Sequence, residues 1–267
     1  MTPPPIALTI AGSDSSGGAG IQADIKTFSS LGVYSASVIT NITAQNTCNV
    51  STVHALPITL IEAQLRAVFD DLNVTSVKIG MLNTTSIIHL VSNILQEYRP
   101  KYIVLDPVMI STSGKTLIET TAIEALKTAL FPMSTLITPN IHEAAALLNS
   151  PLADSKSAMY QTIKALNRFG GQPILLKGGH LIGDQCIDLL LENGNIHEFS
   201  QTKILTKNTH GTGCTLSSAI SAYLALGYSM LDAVAKANVY LNNAILHADI
   251  LNVGKGGGPV HHFYHQW

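Results

Sequence analysis

The segment Thr206-Lys-Asn-Thr-His-Gly-Thr-Gly-Cys-Thr-Leu-Ser217 is the most informative stretch of the chain. Gly211 and Gly213 stand between a predicted strand and a predicted helix of small residues. Glycine lets the backbone turn sharply, so several N–H groups can point at one place. The start of the helix adds a positive partial charge there. The segment therefore predicts an anion site suited to a transferring phosphoryl group, although Gly-Thr-Gly alone also fits a helix cap without a ligand.

Outward from this segment, apolar runs alternate with segments of helical periodicity. The predicted strands are Ile6–Ala11, Val74–Ile79, Tyr102–Leu105, Ser134–Ile137 and Pro173–Leu176. The predicted helices are Ile21–Leu31, Thr59–Leu72, Thr84–Tyr98, Glu119–Leu130, Ser155–Phe169, Thr215–Leu226 and Ser229–Leu246. Continuously apolar strands separated by helices are typical of a parallel sheet covered on both faces. We therefore expect an α/β fold with three α/β/α layers.

Two regions break this alternation. Ser35–Asn46 and Val50–Leu56 are predicted to pair as strands without a helix between them. An antiparallel group around the turn Glu192-Asn-Gly194 is predicted from Cys186–Leu191, Ile196–Phe199 and Lys203–Lys207. Because no repeat or low-complexity linker interrupts the chain, we expect residues 1–267 to form a single domain.

Composition limits the class of protein and of partner. Hydrophobic residues make up 46% and charged residues 12%, which excludes a disordered chain. The net charge of −2 gives no basic surface for nucleic acid or an anionic membrane. The three cysteines form no Cys-x-x-Cys motif, and neither a signal peptide nor an apolar run of about 18 residues is evident. These features favour a soluble, cytoplasmic protein.

The string Asn208–Ser217 resembles the signature of the hydroxymethylpyrimidine and phosphomethylpyrimidine kinases, which belong to the ribokinase-like superfamily. Further matching blocks follow the same order along nearly the whole chain: residues 11–24, 44–47, 78–82, 105–109, 138–144, 176–181 and 254–263. The resemblance implies a ribokinase-like fold, a homodimer and Mg²⁺-dependent use of ATP. The implied reaction, in thiamine biosynthesis, phosphorylates 4-amino-5-hydroxymethyl-2-methylpyrimidine and then its monophosphate.

The resemblance also implies roles for individual residues. The catalytic group is Cys214, Gly211, Thr212, Gly213 and Lys177, with Cys214 standing where much of the superfamily has an aspartate base. The ATP contacts are Asn140, Lys177, Thr209, Gly211 and Gly213. Mg²⁺ would be held by Glu143 and Asp106. The acceptor pocket is Gly12, Asp24, Gln45, Met81 and Val108.

Four of these residues have simpler interpretations. Cys214 could simply pack against the sheet. In the catalytic role, the helix N-terminus could lower the pKa of its thiol. Asn140 could be an ordinary N-cap. Lys177 could end its strand in solvent, and Asp24 could lie on the solvated face of its helix. The amide of Gln45, by contrast, complements the acceptor and amino donor on the edge of an aminopyrimidine.

Two departures from the family pattern remove cations near the nucleotide. Ser111-Thr112 stands where many members have Ala-Lys, and Asn238 replaces a common lysine, with Lys236 two residues away. A pyridoxal kinase of the same fold is the nearest rival function, followed by a sugar or nucleoside kinase. A non-catalytic ligand-binding protein is the alternative from another class, although Gly211, Gly213, Glu143 and Lys177 are all retained.

Overall fold

The computed structural model describes residues 3–109, 118–179 and 181–267. Its strands are β1 Ile6–Asp14, β2 Tyr34–Gln45, β3 Val50–Ala55, β4 Val74–Ile79, β5 Tyr102–Leu105, β6 Leu136–Ile137, β7 Ile174–Lys177, β8 Gln185–Glu192 and β9 Asn195–Thr202. Its α-helices are α1 Gly20–Ser30, α2 Ile58–Asp71, α3 Thr85–Tyr98, α4 Thr120–Ala125, α5 Ile141–Leu148, α6 Lys156–Leu166, α7 Thr212–Ala225 and α8 Met230–Leu246. Helix α4 continues as a π-helical turn, Leu126–Leu130.

All of these strands lie in one sheet, in the order β3-β2-β1-β4-β5-β6-β7-β8-β9. Strands β1, β2 and β4 to β7 run parallel, whereas β3, β8 and β9 are joined by antiparallel pairing. The predicted pairing of Ser35–Asn46 with Val50–Leu56 is confirmed, as is that of the segments on either side of Glu192-Asn-Gly194. The sheet is therefore parallel in its centre and antiparallel at both edges.

Alternate side chains of the central strands enter two different cores. Leu8 and Ile10 of β1 pack in the larger core with α2 to α6, whereas Ala7 faces α1 and α7. Val104 and Leu175 likewise face α7 and α8 on the opposite side. The expected three-layer α/β/α architecture is confirmed. Among the described helices, none is long and apolar enough to cross a membrane.

Three details of the sequence prediction differ from the structure. Lys203–Lys207 is not a strand: β9 ends at Thr202, and the next side chains turn to Asp249, which accepts from Thr206 Oγ1 at 2.5 Å and Asn208 Nδ2 at 2.7 Å. Helix α5 was missing from the predicted helices, although the N-cap interpretation of Asn140 implies a helix that starts there. Helix α7 begins at Thr212, three residues earlier than predicted, so its first turn includes the Gly-Thr-Gly motif. The Ser111-Thr112 departure lies outside the described residues.

Candidate active site

The site lies where the parallel strands end and α7 begins. Asp14 is the last residue of β1, Asp106 directly follows β5, and Lys177 is the last residue of β7. Open α/β sheets bind ligands at the carboxyl ends of their strands. Here that edge carries buried charges of both signs.

The first turn of α7 is held against the loop that follows β1. Gly211, the N-cap, has φ +82°, and a Cβ there would clash with the carbonyl oxygen of Gly18. Gly18 in turn packs against the ring of His210, and a Cβ on Gly20 would clash with the carbonyl oxygen of Gly12. Both glycine pairs therefore bring backbone into contact with backbone, which any side chain would prevent.

Gly213 brings the helix start over a buried ion pair. A Cβ on Gly213 would lie 3.5 Å from Lys177 Nζ and 3.7 Å from Asp106 Oδ2. Because the first N–H groups of an α-helix have no partner within the helix, those of Gly213 and Cys214 are available to a ligand. The N–H dipoles and the Lys177 ammonium consequently meet at one place.

Lys177 and Asp106 form this ion pair at 2.7 Å, and the Lys177 side chain is only 12% exposed. Asp106 also accepts from Thr138 Oγ1 at 3.1 Å and Ser217 Oγ at 3.2 Å. Burial raises the pKa of Asp106, but the nearby ammoniums of Lys177 and Lys78 outweigh burial, so the net pKa is lowered. Lys177 therefore ends its strand in an ion pair and not in solvent.

Asn140 and Glu143 form a capping box at the start of α5. The Asn140 side chain accepts from the N–H groups of His142 and Glu143, both at 2.9 Å, and Glu143 Oε2 accepts from Asn140 N–H at 2.8 Å. The N-cap interpretation of Asn140 is therefore confirmed. Burial, with repulsion from Asp106, raises the pKa of Glu143 to about 7 against the opposing effect of Lys177.

Cys214 lies in the first turn of α7 and is partly exposed. Burial raises the pKa of this thiol to about 11, opposed by Lys78 and reinforced by Asp24 and Asp106. A helix N-terminus can lower the pKa of a thiol, but burial raises the pKa of this one. The thiol is neutral near pH 7.

Beneath Cys214, Lys78 and Asp24 form an ion pair in which neither side chain is exposed. Lys78 Nζ lies 2.9 Å from both Asp24 oxygens, which also accept from Thr9 Oγ1 at 2.6 Å and Ser218 Oγ at 2.7 Å. Burial lowers the pKa of Lys78, but Asp24, Cys214 and Asp106 together more than offset this and the net pKa is raised. Asp24 is thus not a solvated surface residue: both of its oxygens already accept hydrogen bonds from the protein.

The pocket residues predicted from the resemblance fall into three places. Gly12 and Met81 are in contact, because a Cβ on Gly12 would lie 2.5 Å from Met81 Cε. Val108 follows β5, its N–H bonded to the Asp106 carbonyl at 2.8 Å. Gln45 lies beside α7, with Nε2 3.2 Å from His210 Nε2 and Oε1 accepting from Thr43 Oγ1 at 3.2 Å. Because His210 Nε2 donates its proton to Asp14, it cannot accept from the Gln45 amide nitrogen, and the Gln45 side chain keeps only the bond from Thr43.

Sequence reasoning assigned no role to Asp14 or His210. Asp14 accepts from the N–H groups of Ser16, Gly18 and Ala19 and lies 2.9 Å from His210 Nε2. Burial raises the pKa of Asp14, but the bonds from His210 and Ser16 lower it to about 2. Asp14 therefore shapes the loop that packs on α7; its position directly after an apolar strand was the available signal.

An outer cleft adjoins Thr209, the exposed residue two positions before the α7 N-cap. Its volume is about 350 Å³, and it is lined by residues 205–208, 249, 252–254 and 256. Leu205 and Val253 are 98% and 44% exposed on its walls. The cleft thus offers apolar surface close to the anion site.

The comparisons with known proteins assign this sheet and its site to the small-molecule kinases of the ribokinase-like superfamily. The sequence model of the family described as phosphomethylpyrimidine kinase matches residues 14–261. The chain belongs to this family.

Curated relatives agree over nearly the full length. The hydroxymethylpyrimidine/phosphomethylpyrimidine kinases of Rhizobium meliloti and Salmonella typhimurium are 47% and 48% identical, covering 98% of this chain and 98% of each relative. Among solved structures, a phosphomethylpyrimidine kinase from Clostridium difficile is 44% identical with a TM-score of 0.79, covering 90% of this chain and 99% of its own. A Bacillus subtilis pyridoxal kinase, solved as an ADP complex, is 35% identical with a TM-score of 0.89, covering 97% of both chains.

The Lys78–Asp24 pair yields a stability prediction. Lys78→Met is expected to lower the free energy of unfolding by about 3–5 kcal/mol, because it leaves the Asp24 carboxylate buried without its counter-charge. The double variant Lys78→Met/Asp24→Leu is expected to recover most of that loss, because it removes both charges. Urea denaturation measures both values; equal destabilisation of the single and double variants would contradict this assignment.

Proposed function

We propose that this chain transfers the γ-phosphoryl group of ATP to the hydroxyl of 4-amino-5-hydroxymethyl-2-methylpyrimidine, and then a second to the resulting monophosphate. The observation that carries the proposal is the start of α7: its N–H groups lie over Lys177, beside a partly exposed and neutral Cys214. Charge that develops on a transferring phosphoryl group is stabilised by fixed dipoles of this kind. The curated relatives carry the name of this activity.

ATP would lie along the Thr209–Gly213 segment. Gly211, Thr212 and Gly213 would face the transferring phosphate, with Lys177 as the cation and Asn140 and Thr209 at its flanks. The base would occupy the outer cleft against Leu205 and Val253, whose exposed apolar surface is suited to an aromatic ring. The solved pyridoxal kinases that hold ADP or AMP-PCP support the choice of an adenine nucleotide.

The carboxylates beside the anion site fit Mg²⁺ in type and number. Mg²⁺ prefers oxygen ligands and commonly takes one or two carboxylates, with phosphates and waters completing its shell. Glu143 and Asp106 are both buried. Burial raises the pKa of Glu143, Lys177 opposes this, and Asp106 adds a smaller rise. Glu143, together with Asp106, would hold the ion, which would neutralise charge on the nucleotide.

The acceptor would bind on the opposite side of Cys214, against Gly12, Gln45, Met81 and Val108, with Asp24 buried in the layer beneath. Met81 supplies apolar contact to a ring. Gln45 would have to give up the bond from Thr43 before its amide oxygen could accept from a ligand. The fully engaged oxygens of Asp24 suit it to holding Lys78 beneath the acceptor.

The neutral thiol suits a site that takes two acceptors. The first acceptor is an alcohol, whereas the second is a phosphate that is already ionised and needs no base. A fixed carboxylate at the position of Cys214 would repel that second acceptor. A thiol whose pKa lies near 11 carries no charge that would do so.

The chain would act as one ribokinase-like domain over residues 1–267, in the cytoplasm and as a homodimer. The dimer proposal is supported by the antiparallel edge formed by β2 and β3, where Tyr34 and Ile42 are 56% and 49% exposed. Exposed apolar side chains on an edge hairpin are suited to cover by a second copy.

A coupled assay of ATP consumption tests the proposed function. The pyrimidine alcohol, its monophosphate and pyridoxal are offered separately, with Gly213→Val as the inactive control because its side chain would enter the space above Lys177. We expect turnover of both pyrimidines, with kcat/KM for the alcohol above that for pyridoxal. Pyridoxal is the second candidate because kinases of pyridoxal superpose with TM-scores of 0.88 to 0.90. A higher kcat/KM for pyridoxal would assign that function instead.

The exchange Cys214→Asp tests the role of the neutral thiol. We expect the variant to lose at least about tenfold in kcat/KM for the monophosphate, because a new carboxylate would lie beside the ionised acceptor. Activity on the alcohol is expected to fall less, since a carboxylate can serve as a base there. Cys214→Ser, which is neutral and nearly isosteric, is the matched control. Undiminished phosphorylation of the monophosphate by Cys214→Asp would refute this explanation.

A further inference from the structure

The C-terminal segment that follows α8 runs beside the residues that lead into α7. The carbonyl oxygen of Gly258 accepts from the N–H of His210 at 3.0 Å, and Pro259 forms a parallel bridge with the same residue. Residues 258–262 are all buried. This segment is therefore fixed to the chain directly before the anion site.

His262, at the end of this buried stretch, is bonded to three helices. Its carbonyl oxygen accepts from Ser30 Oγ of α1 at 2.8 Å and from Tyr240 Oη of α8 at 2.7 Å. Its ring atom Nε2 lies 3.1 Å from Thr215 Oγ1 of α7. Helices α1 and α8 thus hold the backbone of His262, while its ring is bonded to α7.

The direction of the bond between His262 and Thr215 follows from a second contact. Thr215 Oγ1 also lies 2.8 Å from the carbonyl oxygen of Gly211. A carbonyl oxygen can only accept and a hydroxyl has one proton, so Thr215 donates to Gly211 and accepts from His262 Nε2. The pKa of His262 is lowered to about 3, chiefly by burial and also by Lys26 and His261. The ring is therefore neutral near pH 7 and carries its proton on Nε2.

These bonds, from His262 through Thr215 to Gly211, form a clamp on the first turn of α7. The Gly211 carbonyl accepts from both the N–H and the hydroxyl of Thr215, at 2.9 and 2.8 Å. Between these two residues lie Gly213 and Cys214, whose N–H groups belong to the anion site. Gly211 has φ +82°, and a glycine at a helix start has the freedom to reorient its peptide unless that peptide is held. The clamp holds it by its carbonyl group.

We propose that His262 is a positioning residue for phosphoryl transfer: through Thr215 it holds the first turn of α7 so that its N–H groups face the transferring phosphate. This inference rests on the proposed function. His262 reaches the anion site only through Thr215, so it takes no part in the chemistry itself. Consecutive hydrogen bonds also polarise one another, which strengthens the hold on the Gly211 carbonyl.

The neighbouring residue His261 provides a matched control for packing. It is 2% exposed, compared with 3% for His262, and its ring packs against that of Trp267 with the centroids 4.7 Å apart. Among the described residues, its Nδ1 has no hydrogen-bond partner. The exchange His261→Leu therefore removes an equally buried ring and leaves the clamp in place.

The test compares wild type with three variants of the full chain. His262→Leu removes the donor, His262→Gln keeps an N–H donor at a similar distance from the backbone, and His261→Leu is the control. The coupled ATP assay gives kcat and KM for the pyrimidine alcohol. Calorimetric titration gives the Kd of Mg²⁺-ADP with and without aluminium fluoride, a mimic of the transferring phosphoryl group.

His262→Leu is expected to lose about 10- to 100-fold in kcat, because misplaced donors stabilise the developing charge less well. Its KM for the alcohol is expected to stay within about threefold of wild type, since the acceptor pocket is not touched. His262→Gln and His261→Leu are expected to keep kcat within about threefold. Aluminium fluoride is expected to tighten ADP binding at least about tenfold more in wild type and His261→Leu than in His262→Leu.

A wild-type kcat in His262→Leu would overturn the inference and leave the proposed function intact. Equal losses of kcat in His262→Leu and His261→Leu would also overturn it, because packing would then explain both, as would a His262→Gln variant as slow as His262→Leu. If wild type consumes no ATP with the pyrimidine, the proposed function fails and the aluminium fluoride comparison alone decides the inference. If His262→Leu does not fold, Thr215→Val, which removes the middle of the clamp, replaces it with the same deciding outcomes.

Discussion

Contact between two backbone segments, with no side chain between them, is the constraint on which the rest of the site depends. The N-cap of α7 lies directly on the loop after β1, where Gly211 meets Gly18, and the start of α1 lies on β1, where Gly20 meets Gly12. This contact fixes the direction of the first helical turn relative to the ends of the strands. The helix dipole, the ion pair below and the cysteine sulfur are positioned by the same turn, so an added methyl group would displace all three.

Buried charge is balanced in two adjacent pairs under this turn. Lys78–Asp24 is sealed in the core, whereas Lys177–Asp106 lies at the base of the anion site. The inner pair is closed, since both Asp24 oxygens accept bonds from the protein. The outer pair remains next to a further carboxylate, Glu143, whose pKa is raised to about 7 chiefly by burial, with a smaller contribution from Asp106. The fully buried Lys78–Asp24 pair stabilises the fold, whereas the partly exposed Lys177–Asp106 pair lies where a phosphate could bind.

The sequence predicted the sheet, its antiparallel edges and the glycine-rich turn at the start of α7, because apolar periodicity and glycine spacing depend on short-range geometry. It did not reveal Lys78, since a lysine within a strand gives no sign of the aspartate on α1 that it meets. The error at Lys203–Lys207 has a similar origin, because the competing partner Asp249 lies over 40 residues away. The capping box of Asn140 and Glu143 could have identified α5, because its Asn-x-x-Glu spacing is local.

Amide chemical shifts test the central claim most directly. Protein labelled with ¹⁵N is titrated with Mg²⁺-ADP and aluminium fluoride, a mimic of the transferring phosphoryl group, in the presence of the pyrimidine alcohol. If the start of α7 binds that group, the N–H resonances of Gly213 and Cys214 move downfield far more than that of Ala237 in the middle of α8. Saturating binding that leaves the Gly213 and Cys214 resonances in place would contradict the claim, because the phosphate would then be held elsewhere.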